Sequence, residues 1–221
     1  MALKSINLSQ CSLLTYASLD ILADSLGSIL KELYLDDCIL IDANLILSGL
    51  KRLEQLEVLS LAGVPTVSDK FIESYIIARG HNIKELILKD FINLTDASMK
   101  VIAEHCPGLH ALDLMNFCRE LRKLKFCRNP FRWSLVGQQT ALSLSNNAKN
   151  LHTLDLTGCR NLTDNEIGLI VDRCLSLRSL KLFGCSQVTD VFLKRHSNIE
   201  IQIFGLNLCP LLQHIKEPDS E

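Results

Sequence analysis

The stretch Leu151-His152-Thr153-Leu154-Asp155-Leu156-Thr157-Gly158-Cys159-Arg160-Asn161-Leu162-Thr163-Asp164-Asn165-Glu166-Ile167-Gly168-Leu169-Ile170 carries two apolar periods in succession. Leu151, Leu154 and Leu156 take the first, fourth and sixth places of a short frame, so the last two alternate on a strand and point to one side. From Ile167 the period lengthens: Ile167, Ile170, Val171 and Cys174 keep the three-and-four spacing of one helix face. Between the two, Thr163 is placed to cap the helix, and Glu166 three residues on completes a capping box. The stretch is therefore strand, turn and helix.

The frame repeats. It returns as Leu3-Ile6-Leu8, Leu30-Leu33-Leu35, Leu56-Leu59-Leu61, Ile83-Leu86-Leu88, Leu109-Leu112-Leu114, Leu121-Leu124-Phe126 and Leu177-Leu180-Leu182, with intact steps of 26 or 27 residues. That period lies within the leucine-rich-repeat range of about 20 to 29 residues. Cap pairs recur as Ser68-Asp69, Thr95-Asp96 and Thr189-Asp190, and Met99, Ile102, Ala103 and Cys106 repeat the helix face. No unit can bury its apolar side alone, so neighbours must stack. The expected fold is an α/β solenoid of about eight repeats with one defective unit, a curved parallel sheet inside and helices outside. It spans residues 1–205, and residues 206–221 follow as a C-terminal cap and tail.

The defective unit lies between Leu109 and Leu151. The frames at Leu109 and Leu121 are 12 residues apart and the next begins 30 later. Those 42 residues stand where two units would need about 52. No Thr-Asp pair opens a helix between the two frames, yet parallel neighbours require a crossover. An irregular junction is expected near 117–137, with one helical return missing.

Composition narrows the class. The 221 residues include 43 leucines, only 5% aromatics, 10 glycines and 5 prolines, which excludes collagen-like and low-complexity chains. Lys and Arg number 23 against 25 Asp and Glu, so no overall field draws the chain to nucleic acid or an anionic membrane. Nine cysteines with no apolar run behind Met1 point to a reducing compartment, nucleus or cytoplasm. No run of 18 apolar residues marks a membrane span. Cys11, Cys38, Cys159 and Cys185 share a frame position that Val64, Phe91 and Phe117 take elsewhere, which reads as buried core. No C-x-x-C pair is present, so neither a metal nor another cofactor is expected. The six histidines are scattered and no phosphate-cradling glycine loop occurs; no catalytic residue and no enzyme is expected.

Binding surfaces are more legible. Alternate frame positions face away from the core and line the concave sheet. Position five holds Tyr34, Ile87, Asp113, Asp155 and Lys181; position seven holds Met115, Phe183 and Phe204, the last taken from a degenerate strand Ile201-Gln202-Ile203. Aromatic and Met side chains beside charges are what protein-binding hot spots use, so a protein or peptide ligand is expected there. A second surface is the junction itself. Arg119, Arg122, Lys123, Lys125, Arg128 and Arg132 stand against Glu120, with Phe126, Phe131 and Trp133 interleaved, a mixture suited to single-stranded nucleic acid. The net negative charge of the remaining chain argues against nucleic acid as the partner.

The string L-x-x-L-D-L-x-x-C-x-x-L-T-D-x-x-I-x-x-I at 151–170 is similar to the cysteine-containing leucine-rich-repeat subclass, best known from substrate receptors of F-box-type ubiquitin ligases. The C-terminal half, with CPGLHALDLMNFC at 106–118, the 151–190 stretch and HSNIEIQIFGLNLCPLLQHI at 196–215, resembles the Rad-seven-like proteins of nucleotide excision repair. The resemblance implies a substrate-recognition module of an SCF-type ubiquitin ligase in ubiquitin-dependent degradation, linked to excision repair, with its protein substrate on the concave face. Skp and cullin subunits join the partners only through an F-box upstream. The chain enters a strand frame at Leu3, so no F-box is expected within it. Two alternatives stand: a direct DNA-damage binder using the 119–133 segment, and a truncated product without independent function.

Overall fold

The structure is a computed structural model that describes residues 3–91, 94–115, 137–194 and 196–206. Eight strands, β1 (Ser5–Asn7), β2 (Glu32–Tyr34), β3 (Val58–Ser60), β4 (Glu85–Ile87), β5 (Ala111–Asp113), β6 (Thr153–Asp155), β7 (Ser179–Lys181) and β8 (Gln202–Phe204), form one parallel sheet in chain order. Six helices alternate with them among the described residues: α1 (Tyr16–Leu26), α2 (Ala43–Arg52), α3 (Asp69–Arg79), α4 (Asp96–His105), α5 (Gln138–Asn147) and α6 (Asp164–Arg173). This is the α/β leucine-rich-repeat solenoid that the period requires.

Each strand is positions three to five of the frame. The position-four leucines Leu33, Leu59, Leu86, Leu112, Leu154 and Leu180 are buried in register with one another, as are Leu35, Leu61, Leu88, Leu114, Leu156 and Leu182 at position six. Met99, Ile102 and Ala103 of α4, and Ile167, Ile170 and Val171 of α6, close the same core. Each such side chain contributes about 1.5 to 3 kcal/mol on burial, before chain entropy offsets most of it. The first unit is less enclosed: Leu3 is 55% exposed and Ile6 and Leu8 are half-buried, since β1 has a neighbouring strand on one side only among the described residues.

Three ladders lock the units together. The frame cysteines do more than fill space: Cys38, Cys159 and Cys185 donate their thiols to the carbonyls of Leu8, Leu114 and Leu156, the position-six residues of the preceding units, at 3.1, 3.6 and 3.1 Å. Cys11 is exposed, with no unit on that side of it among the described residues, contrary to the expectation that all four are buried. Position eight turns the chain out of the strand with positive φ in each unit where it is described, at Gln10, Asp37, Gly63, Asp90, Gly158 and Gly184. The third ladder joins caps. Asp69 accepts from the Thr95 amide and hydroxyl at 2.9 and 2.7 Å, and Asp164 from those of Thr189 at 2.7 and 2.8 Å. Asp69, Asp96 and Asp164 thus each hold the cap of the next unit.

Caps fall where expected and at two further places. Ser68, Thr95 and Thr163 cap α3, α4 and α6, and Thr163 with Glu166 forms the capping box. Thr15 makes a second box with Ser18, and Asp42 caps α2. After Thr189-Asp190, where a helix was expected, only a 3-10 turn at Val191–Lys194 forms.

Two expectations are corrected. The sheet passes directly from β5 to β6, Leu112 against Leu154, so no strand of a Leu121 frame stands between them. The 42 residues are one unit, and its helical return is α5. Elsewhere the helix cap stands twelve residues after the frame's first position; here Gly137 caps α5 twenty-eight residues after Leu109. The extra length lies between strand and helix, where the sequence offers a false frame. Residues 116–136, and with them Leu121-Leu124-Phe126, lie outside the described residues. The second correction is at β8. Gln202 pairs with Ser179 and Phe204 with Lys181, which makes Gln202 position three and Phe204 position five. A slip of two residues keeps each side chain on its original face, so Phe204 still points outward and Ile203 inward against Leu180.

Candidate functional site

Among the described residues the sheet has one face free of helices, lined by positions three, five and seven. On it the expected site residues come together as one surface, though unevenly presented. Phe183 and Phe204 are 51% and 42% exposed, Lys181 is exposed, and Tyr34, Ile87, Asp113 and Met115 are half-buried. Asp155 is only 6% exposed. It is a structural member of the face, held between two partners.

Those partners show how the strand ends build the site. Asp113 and Asp155 each bend one oxygen back to accept the amide of position seven, from Met115 at 3.1 Å and Thr157 at 3.0 Å. The other oxygen meets a lysine: Asp113 Oδ2 lies 2.9 Å from Lys89 Nζ, and Asp155 Oδ2 lies 3.2 Å from Lys181 Nζ. Burial works to lower the Lys89 pKa, but the Asp113 hydrogen bond and the charges of Asp113, Asp155 and Asp36 outweigh it and leave it raised. Such partly exposed pairs are worth about 0 to 1 kcal/mol each; they orient more than they stabilise. Asp36 accepts from the buried Ser60 hydroxyl and, at 3.0 Å, from the Ala62 amide. The Tyr34 hydroxyl is held above its ordinary pKa, first by burial and then by the charges of Glu32, Glu85 and Asp36. Glu32 and Glu85 sit at position three; reading positions five and seven alone misses them.

Phe183 is placed by a glycine. Gly205 has φ of 79°, and a Cβ there would lie 2.6 Å from the Phe183 backbone nitrogen and ring, so only glycine lets β8 approach this closely. The ring lies over the β8 end of the sheet, beside Phe204.

The sheet edge at position two carries its own charges. Glu57 accepts from Lys31 at 2.5 Å and Lys84 at 2.8 Å, and these hydrogen bonds hold its carboxyl below the usual range. His110 and His152, one unit apart, stack with ring centroids 5.2 Å apart. Each Nδ1 is bonded to a nearby carbonyl, Gly108 at 2.5 Å and Asn150 at 2.6 Å. Repetition accounts for the pair. No group of three or more His, Cys, Asp or Glu among the described residues is arranged to hold a metal ion. No described helix is long and apolar enough to cross a membrane. The six cations Arg119, Arg122, Lys123, Lys125, Arg128 and Arg132 lie outside the described residues, as does the tail from residue 207.

No protein-family model matches the chain. The DNA repair protein rhp7 of Schizosaccharomyces pombe is 27% identical over 202 residues, an alignment that covers 82% of this chain and 35% of rhp7. The chain thus spans about a third of the length of that relative. The crystal structure of the Rad7 and Elc1 complex in yeast matches with a TM-score of 0.45 at 16% identity, covering 92% of this chain and 68% of that one. By its repeat architecture the chain is a leucine-rich-repeat protein, and its sequence is similar to that of the DNA repair protein rhp7.

Proposed function

We propose that the chain is the protein-binding module of a repair-associated ubiquitin ligase, recognising its substrate on the open face of the sheet rather than catalysing a reaction itself. The observation that carries this reading is the exposure of Phe183 and Phe204 at one end of a face whose other large apolar groups, Ile87 and Met115, are half-buried. Large aromatics left in water beside charged groups are the anchors of protein interfaces. The link to repair comes from the likeness to a DNA repair protein, and the ligase assignment from the cysteine-containing repeat string.

Affinity purification from cell extract, with and without ultraviolet irradiation, tests it by comparing the full chain with a Phe183→Ala/Phe204→Ala variant. The expected result is a repair protein retained by the wild type, lost by the variant, and accompanied by ubiquitin-ligase subunits. Identical recovery by both baits sinks the assignment of the face. Recovery of a face-dependent partner with no ligase subunit sinks the ligase part alone.

A further inference from the structure

The two ends of the open face differ in chemistry. On β2 and the residues after it, Glu32, Tyr34 and Asp36 follow at two-residue intervals and so project from the same side. Glu85 stands two strands from Glu32 with Val58 between them. Among the described residues neither Glu32 nor Glu85 has an ion-pair partner, and Asp36 is bonded only to uncharged donors; Asp113 and Asp155 are each neutralised by a lysine. The Tyr34 ring therefore lies among three carboxylates that form no ion pair among the described residues, although the Asp36 charge reaches Lys89. At the other end stand Phe183 and Phe204, with Lys181 already engaged by Asp155. Positions three, five and seven together hold Glu32, Asp36, Glu85, Asp113 and Asp155 against Lys89 and Lys181, so the face as a whole is acidic although the chain is nearly neutral.

We infer that the open face takes an extended basic and apolar polypeptide segment, with a Lys or Arg over Tyr34 among Glu32, Asp36 and Glu85 and a large apolar side chain against Phe183 and Phe204. This rests on the protein-binding reading of the face and adds what is bound. A cation on an aromatic face gains from the ring as well as from the carboxylates. The spacing is also set. Strands lie about 4.8 Å apart, so β2 to β7 or β8 is about 24 to 29 Å, which an extended segment covers in about seven to nine residues. A helix would need about 16 to 19.

Random dodecapeptides displayed on phage, selected on the full 221-residue chain, span that distance only when extended. Enriched sequences are then made as labelled synthetic peptides and titrated by fluorescence polarisation at low salt against the wild type, Glu32→Gln/Glu85→Gln and Phe183→Ala, with thermal melts to confirm folding. The expected sequences carry Lys or Arg about seven to nine positions from Phe, Leu or Met, in either direction. The Gln pair should weaken binding about tenfold and flatten its salt dependence. Enriched peptides without a cation, affinity unchanged in the Gln pair, or no enrichment at all would overturn the inference. Peptides lost with Phe183→Ala but indifferent to the Gln pair leave the protein-binding reading intact; peptides indifferent to both remove it as well.

Discussion

Burial pushes the Cys106 thiol up to about 12 and the Cys174 thiol up to about 11, from an ordinary 9.0. Both close the helix side of the core, where Cys174 Sγ donates to the Leu144 carbonyl at 3.5 Å. The sign follows from linkage: the folded state keeps the proton that the unfolded chain gives up. The neutral-thiol contribution is therefore whole below about pH 9 and is lost as pH rises from there towards the folded values. Each thiol then costs about 1.4 kcal/mol per pH unit. Raising the pH from 8 to 10 should thus destabilise the wild type more than Cys106→Val/Cys174→Val, by about 2 to 3 kcal/mol in denaturant unfolding. Parallel pH curves for the two proteins would contradict the assignment. The three-and-four spacing of the helix face places both cysteines in the core from sequence alone; it does not show the S–H donation of Cys174, which depends on a carbonyl in the preceding unit.

Among elements, the inter-unit aspartates matter beyond the helices they begin. Asp164 is the first residue of α6, and both its oxygens bind Thr189 of the following unit. Removing it by Asp164→Ala should cost about 2 kcal/mol, the scale of hydrogen bonds to a charged group, and should speed amide exchange across Val191–Lys194. A loss below about 0.5 kcal/mol, the range of neutral surface changes, would show that the ladder is incidental. The Ser-Asp or Thr-Asp signal announced α3, α4 and α6 because local side-chain chemistry sets those starts. It was silent for α5, whose cap is Gly137 with no side-chain bond. There the order is tertiary: Asp96 of the preceding unit accepts from the Gly137 amide at 3.2 Å and from the Thr140 hydroxyl. The same limit explains β8. Its apolar pair Ile201 and Ile203 fits positions four and six by pattern, and only pairing with β7 shows that Ile203 takes position four. The aromatic half of the candidate site was readable from strand alternation, whereas its acidic half lay in a position that alternation marks as outward but that no motif singles out.

For the whole molecule, the repeat is a statement about registry, and the long fifth unit tests how local that registry is. Every other capped unit places five residues between position seven and the helix cap, as from Lys89 to Thr95 or Thr157 to Thr163. From Met115 to Gly137 the connection is longer, yet β5 and β6 pair without a shift and α5 packs between α4 and α6. Stacking, not connection length, therefore fixes the sheet. Removing residues 119–134 would leave five residues between Met115 and Gly137, the spacing of the other units. The shortened chain should keep its helical circular dichroism and cooperative unfolding. It should gain up to about 1 kcal/mol, because a shorter loop loses less entropy on closure. It also lacks Arg119, Arg122, Lys123, Lys125, Arg128 and Arg132 while retaining Tyr34, Glu32, Glu85, Phe183 and Phe204. Its affinity for peptides selected on the open face should therefore equal that of the full chain. A shortened protein that melts without cooperativity would mean that the long connection is built into the core. One that folds but no longer binds would transfer recognition from the sheet to the basic segment.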